Sequence, residues 1–162
     1  MNINRFTQKS LQAVQDCEKI AMEYGNQEIC QEHLFYALLT QEDGLILKMM
    51  EKMGLDKNYV ANRAEQAVAK RPKVQGGQAF VGQDLNKVLI HAEDEMKQMG
   101  DEYVSVEHLF LALLKYPSRE MKELFREMGI SKEGFLQALS TVRGNQKVTS
   151  DNPEATYDTL TK

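Results

Sequence analysis

The feature that most constrains the fold is an internal repeat. Glu32-His33-Leu34-Phe35 returns as Glu107-His108-Leu109-Phe110, a shift of 75 positions. At the same shift Ala37-Leu38-Leu39 returns as Ala112-Leu113-Leu114, Gly25 as Gly100, and Met53-Gly54 as Met128-Gly129. Sliding Phe6–Ala67 onto Val81–Val142 needs no gap and gives about 13 identities over about 62 positions. Two copies are too few for an open solenoid, where stability usually needs three or more stacked units. A closed pseudo-twofold pair is expected instead, each copy covering the apolar face of the other.

Each copy reads as four helices, so the fold class is all-α, with about eight helices in one domain. In the second copy Leu85, Val88, Leu89, Ala92, Met96 and Met99 recur at steps of three and four, the stripe of an amphipathic helix. Gly100 stops it. Ser105 is a good N-cap, Glu107 puts negative charge in the first turn, and the Leu-rich helix Val106–Lys115 is expected to be central. Pro117-Ser118 opens the next helix, which runs to Gly129, and Ser131 caps the last. In the first copy Cys30 stands where Ser105 stands, a weaker cap. The leucines Leu109, Leu113 and Leu114 are expected in the core, as are their copies Leu34, Leu38 and Leu39. The boundaries are about 4–70 for the first repeat, 71–81 for a Pro- and Gly-bearing loop, and about 82–142 for the second repeat. The polar stretch 143–162 is expected to be a mobile linker.

Composition narrows the setting. Lys and Arg number 20 against 24 Asp and Glu, a net charge of −4. That is a poor basis for a general nucleic-acid grip, and no helix is rich in Lys and Arg. No apolar run approaches the roughly 18 residues of a membrane span. No secretory h-region follows the N-terminus, and the two cysteines form no framework, so a reducing, cytoplasmic location is expected. Neither nucleic acid nor membrane is expected as a partner.

Catalytic signatures are absent. There is no P-loop, no H-E-x-x-H, no C-x-x-C and no nucleophile elbow. His33 and His108 could in principle share a metal across the pseudo-twofold. Packing of each within its own repeat is the stronger expectation. Cys17 lies on the inward stripe of the first helix with Val14 and Ala21 and reads as an inert buried thiol. Most methionines read as core filler, a few as candidates for an apolar groove. The residues alone therefore point to a two-repeat helical binding module, not an enzyme, with no metal and no cofactor of its own.

The doubled Glu-His-Leu-Phe-x-Ala-Leu-Leu, the matching glycine stops and the repeat distance resemble the Clp amino-terminal domain that begins Clp-family AAA+ unfoldases. The resemblance covers residues 1–142. The loop Arg71-Pro72-Lys73-Val74-Gln75-Gly76-Gly77 and the tail Val142–Thr149, followed by Asn152-Pro153-Glu154-Ala155-Thr156-Tyr157, are similar to the disaggregase (ClpB) branch. The resemblance implies a substrate-capture domain, a monomer by itself, on a hexameric ATP-driven chaperone. ATP and magnesium would be bound elsewhere in the full-length protein. Implied partners are unfolded or aggregated polypeptides and, through other domains, the DnaK system. Thr7, Asp101 and Glu107 match family positions implicated in substrate binding. Each also has a structural reading: helix cap, residue after a helix stop, and first-turn acid. On the helix that opens the second copy, the outward positions are expected to include His91 and Glu95, with Ile90 the main exposed apolar residue. The alternative is an adaptor-docking domain of a ClpC- or ClpA-type protease unfoldase.

Overall fold

In a computed structural model, which describes residues 3–153, eight helices follow a short 3-10 turn at Ile3–Arg5. The first copy contributes α1 (Gln8–Glu23), α2 (Gln31–Leu39), α3 (Leu45–Lys52) and α4 (Lys57–Ala69). The second contributes α5 (Gln83–Gln98), α6 (Val106–Lys115), α7 (Arg119–Met128) and α8 (Lys132–Arg143). Starts and stops follow local chemistry. Thr7, Ser118 and Ser131 cap α1, α7 and α8 through their side-chain oxygens, and Asp56 caps α4. Gly25 and Gly100 both take φ near +71° past the ends of α1 and α5, a conformation that favours glycine.

The core is organised by α2 and α6. Every residue of α2 except Tyr36 is buried, as is every residue of α6 from Val106 to Leu113. A helix without a solvent face must be covered on all sides. Phe35 of α2 and Phe110 of α6 are repeat equivalents and stack with ring centroids 6.0 Å apart. The pseudo-twofold therefore passes between them. Phe125 meets both rings edge-on, at 5.3 and 6.0 Å, and Phe135 lies 4.7 Å from Phe110.

The copies also exchange short extended segments. β1 (Glu28–Ile29) pairs in parallel with β2 (Phe80–Val81), placing Ile29 opposite Val81. The repeat-equivalent pair, Val104 and Phe6, forms an isolated parallel bridge. In each case the residue entering the first helix of one copy pairs with the link after the first helix of the other. The amide of Thr7 donates to Val104 O at 2.9 Å, and that of Gly82 to Ile29 O at 2.9 Å.

Several expectations hold and some do not. Leu34, Leu38, Leu39, Leu109 and Leu113 are core, but Leu114 is only partly buried. Met49, Met50, Met96, Met121 and Met128 fill the core, whereas Met22 is exposed. His91 is half-buried and Ile90 exposed, but Glu95 is 3% exposed and points inward to Lys115 at 3.4 Å. The helical stripe alone placed Glu95 outside; Lys115 at the end of α6 gives its carboxylate a counter-charge. Residues 144–153 lie against the domain. Val148 and Pro153 are buried, the Glu102 amide donates to Val148 O, and the Gln8 amide donates to Asp151 O. The rest of the proposed linker, 154–162, is outside the described residues.

The two adjacent leucines give a direct test. Leu113→Ala should cost about 2–5 kcal/mol in a urea titration, as expected for a truncated core leucine. Leu114→Ala should cost less than half as much. Equal costs would show that α6 is seated differently.

Candidate functional site

The three residues singled out from the sequence fall in one seam, where the chain start, the α5–α6 link and the end of α8 meet. Its frame is a histidine device present in both copies. In the first copy the Cys30 amide donates to His33 Nδ1 at 2.8 Å. In the second the Ser105 amide donates to His108 Nδ1 at 2.8 Å. Histidine at the third helical position thus plays the reciprocal part of a capping box, a place more often held by Glu or Gln. With Nδ1 accepting, the ring proton sits on Nε2 and is donated onward. His33 gives it to Asn26 Oδ1 at 2.9 Å, and His108 gives it to Asp101 Oδ2 at 2.6 Å. Each histidine is therefore engaged inside its own repeat. Among the described residues no group of three or more His, Cys, Asp or Glu could hold a metal ion.

The equivalent positions Asn26 and Asp101 make the two devices electrically different. In the first copy the Asn26 amide also donates to Pro72 O at 3.0 Å, so that junction stays neutral. Asp101 instead collects cations and donors. Arg143 Nη2 reaches its Oδ1 at 2.6 Å, Arg143 Nη1 its Oδ2 at 2.9 Å, and the Val148 amide its Oδ1 at 2.9 Å. Burial alone would raise the Asp101 pKa. The hydrogen bonds from His108, Arg143 and Val148 outweigh it and hold the carboxyl well below the usual range. His33 moves down to about 4, because burial opposes its charged form, with Arg71 adding to the effect.

Glu107 lies beside this cluster with its side chain fully buried, 3.4 Å from Arg143 Nη1. Neither of its carboxylate oxygens has a hydrogen-bond partner among the described residues. Its repeat equivalent Glu32 has Arg71 Nη1 at 3.6 Å, and burial raises its pKa. Both acids occupy the first turn of a central helix, where the dipole favours them. Thr7 is fully buried too. It caps α1 through Ser10, whose hydroxyl donates to Val104 O at 2.6 Å. Asp101 and Glu107 thus share Arg143, Thr7 joins the same α5–α6 link through Val104, and all three offer almost no surface. Sequence reasoning missed Asn26, Arg143 and the role of the two histidines. The signal was present: Gly-Asn or Gly-Asp followed by His seven residues beyond the polar residue, in both copies.

Surface features lie elsewhere. Val74, Phe80 and Val81, on and beside β2, are each about half exposed. Gln27, Glu28, Arg71, Pro72, Val74 and Phe80 line a groove of about 140 Å³. Both cysteines are free and buried; burial pushes the Cys30 thiol up to about 12 and Cys17 higher still, which leaves them protonated and unreactive.

The model for the Clp repeat (R) N-terminal domain matches residues 5–128. The chain belongs to this family. It is 45% identical, along its whole length, to the chaperone protein ClpB of Nitratidesulfovibrio vulgaris and 38% identical to that of Bacillus cereus. It spans only 19% of the length of each. The fold matches the Hsp104 N-terminal domain from Candida albicans with a TM-score of 0.81, at 20% identity, over 92% of this chain and 98% of that one. It also matches a ClpV N-domain solved in complex with a VipB peptide, TM-score 0.70, at 20% identity, over 91% and 92% of the two chains.

The pH dependence of stability follows from His33 and Asp101. His33 binds its proton less readily folded than unfolded. Its contribution is fully present above about pH 6.5 and is lost as the pH falls toward about 4. The loss should be on the order of 3 kcal/mol. Asp101, also depressed, adds a further loss only as the pH falls below about 3.8. Urea titrations between pH 7 and 4 should show the first decline in the parent chain and a much flatter profile in His33→Gln. An unchanged profile in that variant would remove His33 as the cause.

Proposed function

We propose that this chain is the substrate-capture domain of a ClpB-type protein disaggregase and binds unfolded or aggregated polypeptide weakly through its surface. What carries the reading is that the identity to ClpB extends over all 162 residues, including the tail beyond α8. The exposed Val74, Phe80 and Val81 supply an apolar surface that packing does not use. Weak single contacts suffice if a homohexamer presents six copies, because linked sites raise the effective concentration. ATP and magnesium at another domain, cooperation with DnaK and a cytoplasmic setting belong to the same proposal. Among the described residues no helix is long and apolar enough to cross a membrane.

Thr7, Asp101 and Glu107 enter this reading as positioning residues. Their side chains are buried, so they act on capture only by keeping the domain folded, through the junction that fixes the α5–α6 link, the chain start and the segment after α8. The test compares surface with junction, using a permanently unfolded, apolar-rich protein as probe. Phe80→Ser with Val81→Ser should weaken binding several-fold while changing stability by no more than about 0.5 kcal/mol, as exposed substitutions do. Asp101→Asn should destabilise by about 3–5 kcal/mol, since it breaks a buried bidentate ion pair and leaves Arg143 only the longer contact to Glu107. The fraction of that variant still folded should bind normally. Undiminished binding by the Phe80/Val81 variant would move the capture face elsewhere. A stable Asp101→Asn that fails to bind would make Asp101 a direct contact.

A further inference from the structure

Where α5, α6, α7 and α8 approach one another, the surface carries a concentration of positive charge that is out of keeping with a chain of net charge −4. Lys87 of α5, Lys115 at the end of α6, Lys122 and Arg126 one turn apart on α7, and Lys132 at the start of α8 all line one open cleft of about 570 Å³. Glu133 is the single acid in its lining. Lys115 and Arg126 have acidic neighbours, Glu95 and Glu123 respectively. Lys87, Lys122 and Lys132 make no ion pair among the described residues. Half-buried Leu114 and Pro117, with Phe125 and Ile130 beneath, give the cleft an apolar floor. At one edge the Tyr116 ring stacks on His91 at 4.1 Å, with Lys87 Nζ 5.5 Å and Lys115 Nζ 5.8 Å from its centroid.

The repeat shows that packing does not require these cations. Their equivalents in the first copy are Gln12, Thr40, Leu47, Glu51 and Lys57, a set with no net charge. Like charges crowded on one face repel and lower stability, so their gathering in one copy alone calls for an anionic occupant. We propose that this cleft docks an extended acidic segment of a polypeptide, its carboxylates on the lysine rim and its apolar side chains on the floor. A nucleic acid fits less well. Single strands need free aromatic faces for stacking, and the half-buried Tyr116 ring already has one face on His91. The inference rests on the reading of this chain as a polypeptide-capturing domain and adds a charge preference to it.

Fluorescence anisotropy of the 162-residue chain with three dye-labelled probes tests the proposal. The probes are an extended peptide alternating Glu and Leu, the same peptide with Gln for every Glu, and a single-stranded RNA of equal charge. The acidic peptide should bind about tenfold tighter than the Gln peptide, with affinity falling as salt is raised. Lys122→Glu with Arg126→Glu should remove that advantage, as should the independent pair Lys87→Glu with Lys132→Glu. Lys19→Glu with Lys97→Glu makes the same change in net charge outside the cleft and should leave binding within about twofold. An equal loss in that control pair would reduce the effect to overall charge and overturn the proposal. So would equal binding of the acidic and Gln peptides, or tighter binding of the RNA. If unfolded apolar-rich protein binds but the acidic peptide does not, only this inference fails. If neither binds, the capture reading fails with it.

Discussion

The structure depends on a burial problem that neither copy can solve alone. α2 and α6 have almost no residue left over to face water. A lone four-helix copy would leave one side of such a helix bare, at a cost of about 25 cal/mol for each Å² of apolar surface. The copies solve this reciprocally. Phe35 and Phe110 stack at the pseudo-axis, and each copy lends an extended segment to the other through Ile29–Val81 and Phe6–Val104. The result is one core with two equivalent ends.

Those ends then diverge, and the divergence is where function can be placed. At each end a histidine closes the start of the central helix and hands its Nε2 proton to the residue after the glycine stop. With Asn26 in that place the junction is neutral. With Asp101 it recruits Arg143 and the Val148 amide, so the segment after α8 is bound to the body of the domain. The chain after α8 thereby has a fixed path as far as Val148. The basic cleft repeats the lesson on the surface, because its charges occur in one copy and not in the other.

Much of this could be read from the residues. The repeat distance, glycine stops and cap residues located all eight helices, since each is local chemistry at a fixed spacing. Leu113 was foreseen as core because a periodic stripe reports burial. What failed depended on distant partners. Glu95 lies on the buried side only because Lys115, twenty residues on, gives its carboxylate a counter-charge. Leu114 differs from its equivalent Leu39 because surroundings, not helix position, set its exposure. The family resemblance named Thr7, Asp101 and Glu107, but not their burial, which for Asp101 and Glu107 involves Arg143 folding back from the far end of the second copy. Nor could the cleft be seen, because four separate helices supply its five cations.

The central claim is that an intact, rigid double repeat takes up polypeptide on its outside. The most direct measurement is a two-dimensional NMR titration of the isotope-labelled chain with a permanently unfolded, apolar-rich protein at up to millimolar concentration. The account predicts fast-exchange shifts in exposed residues, among them Val74, Phe80 and Val81, while the amides of α2 and α6 stay in place. Shifts centred on α2 and α6, or no shifts at all, would contradict it.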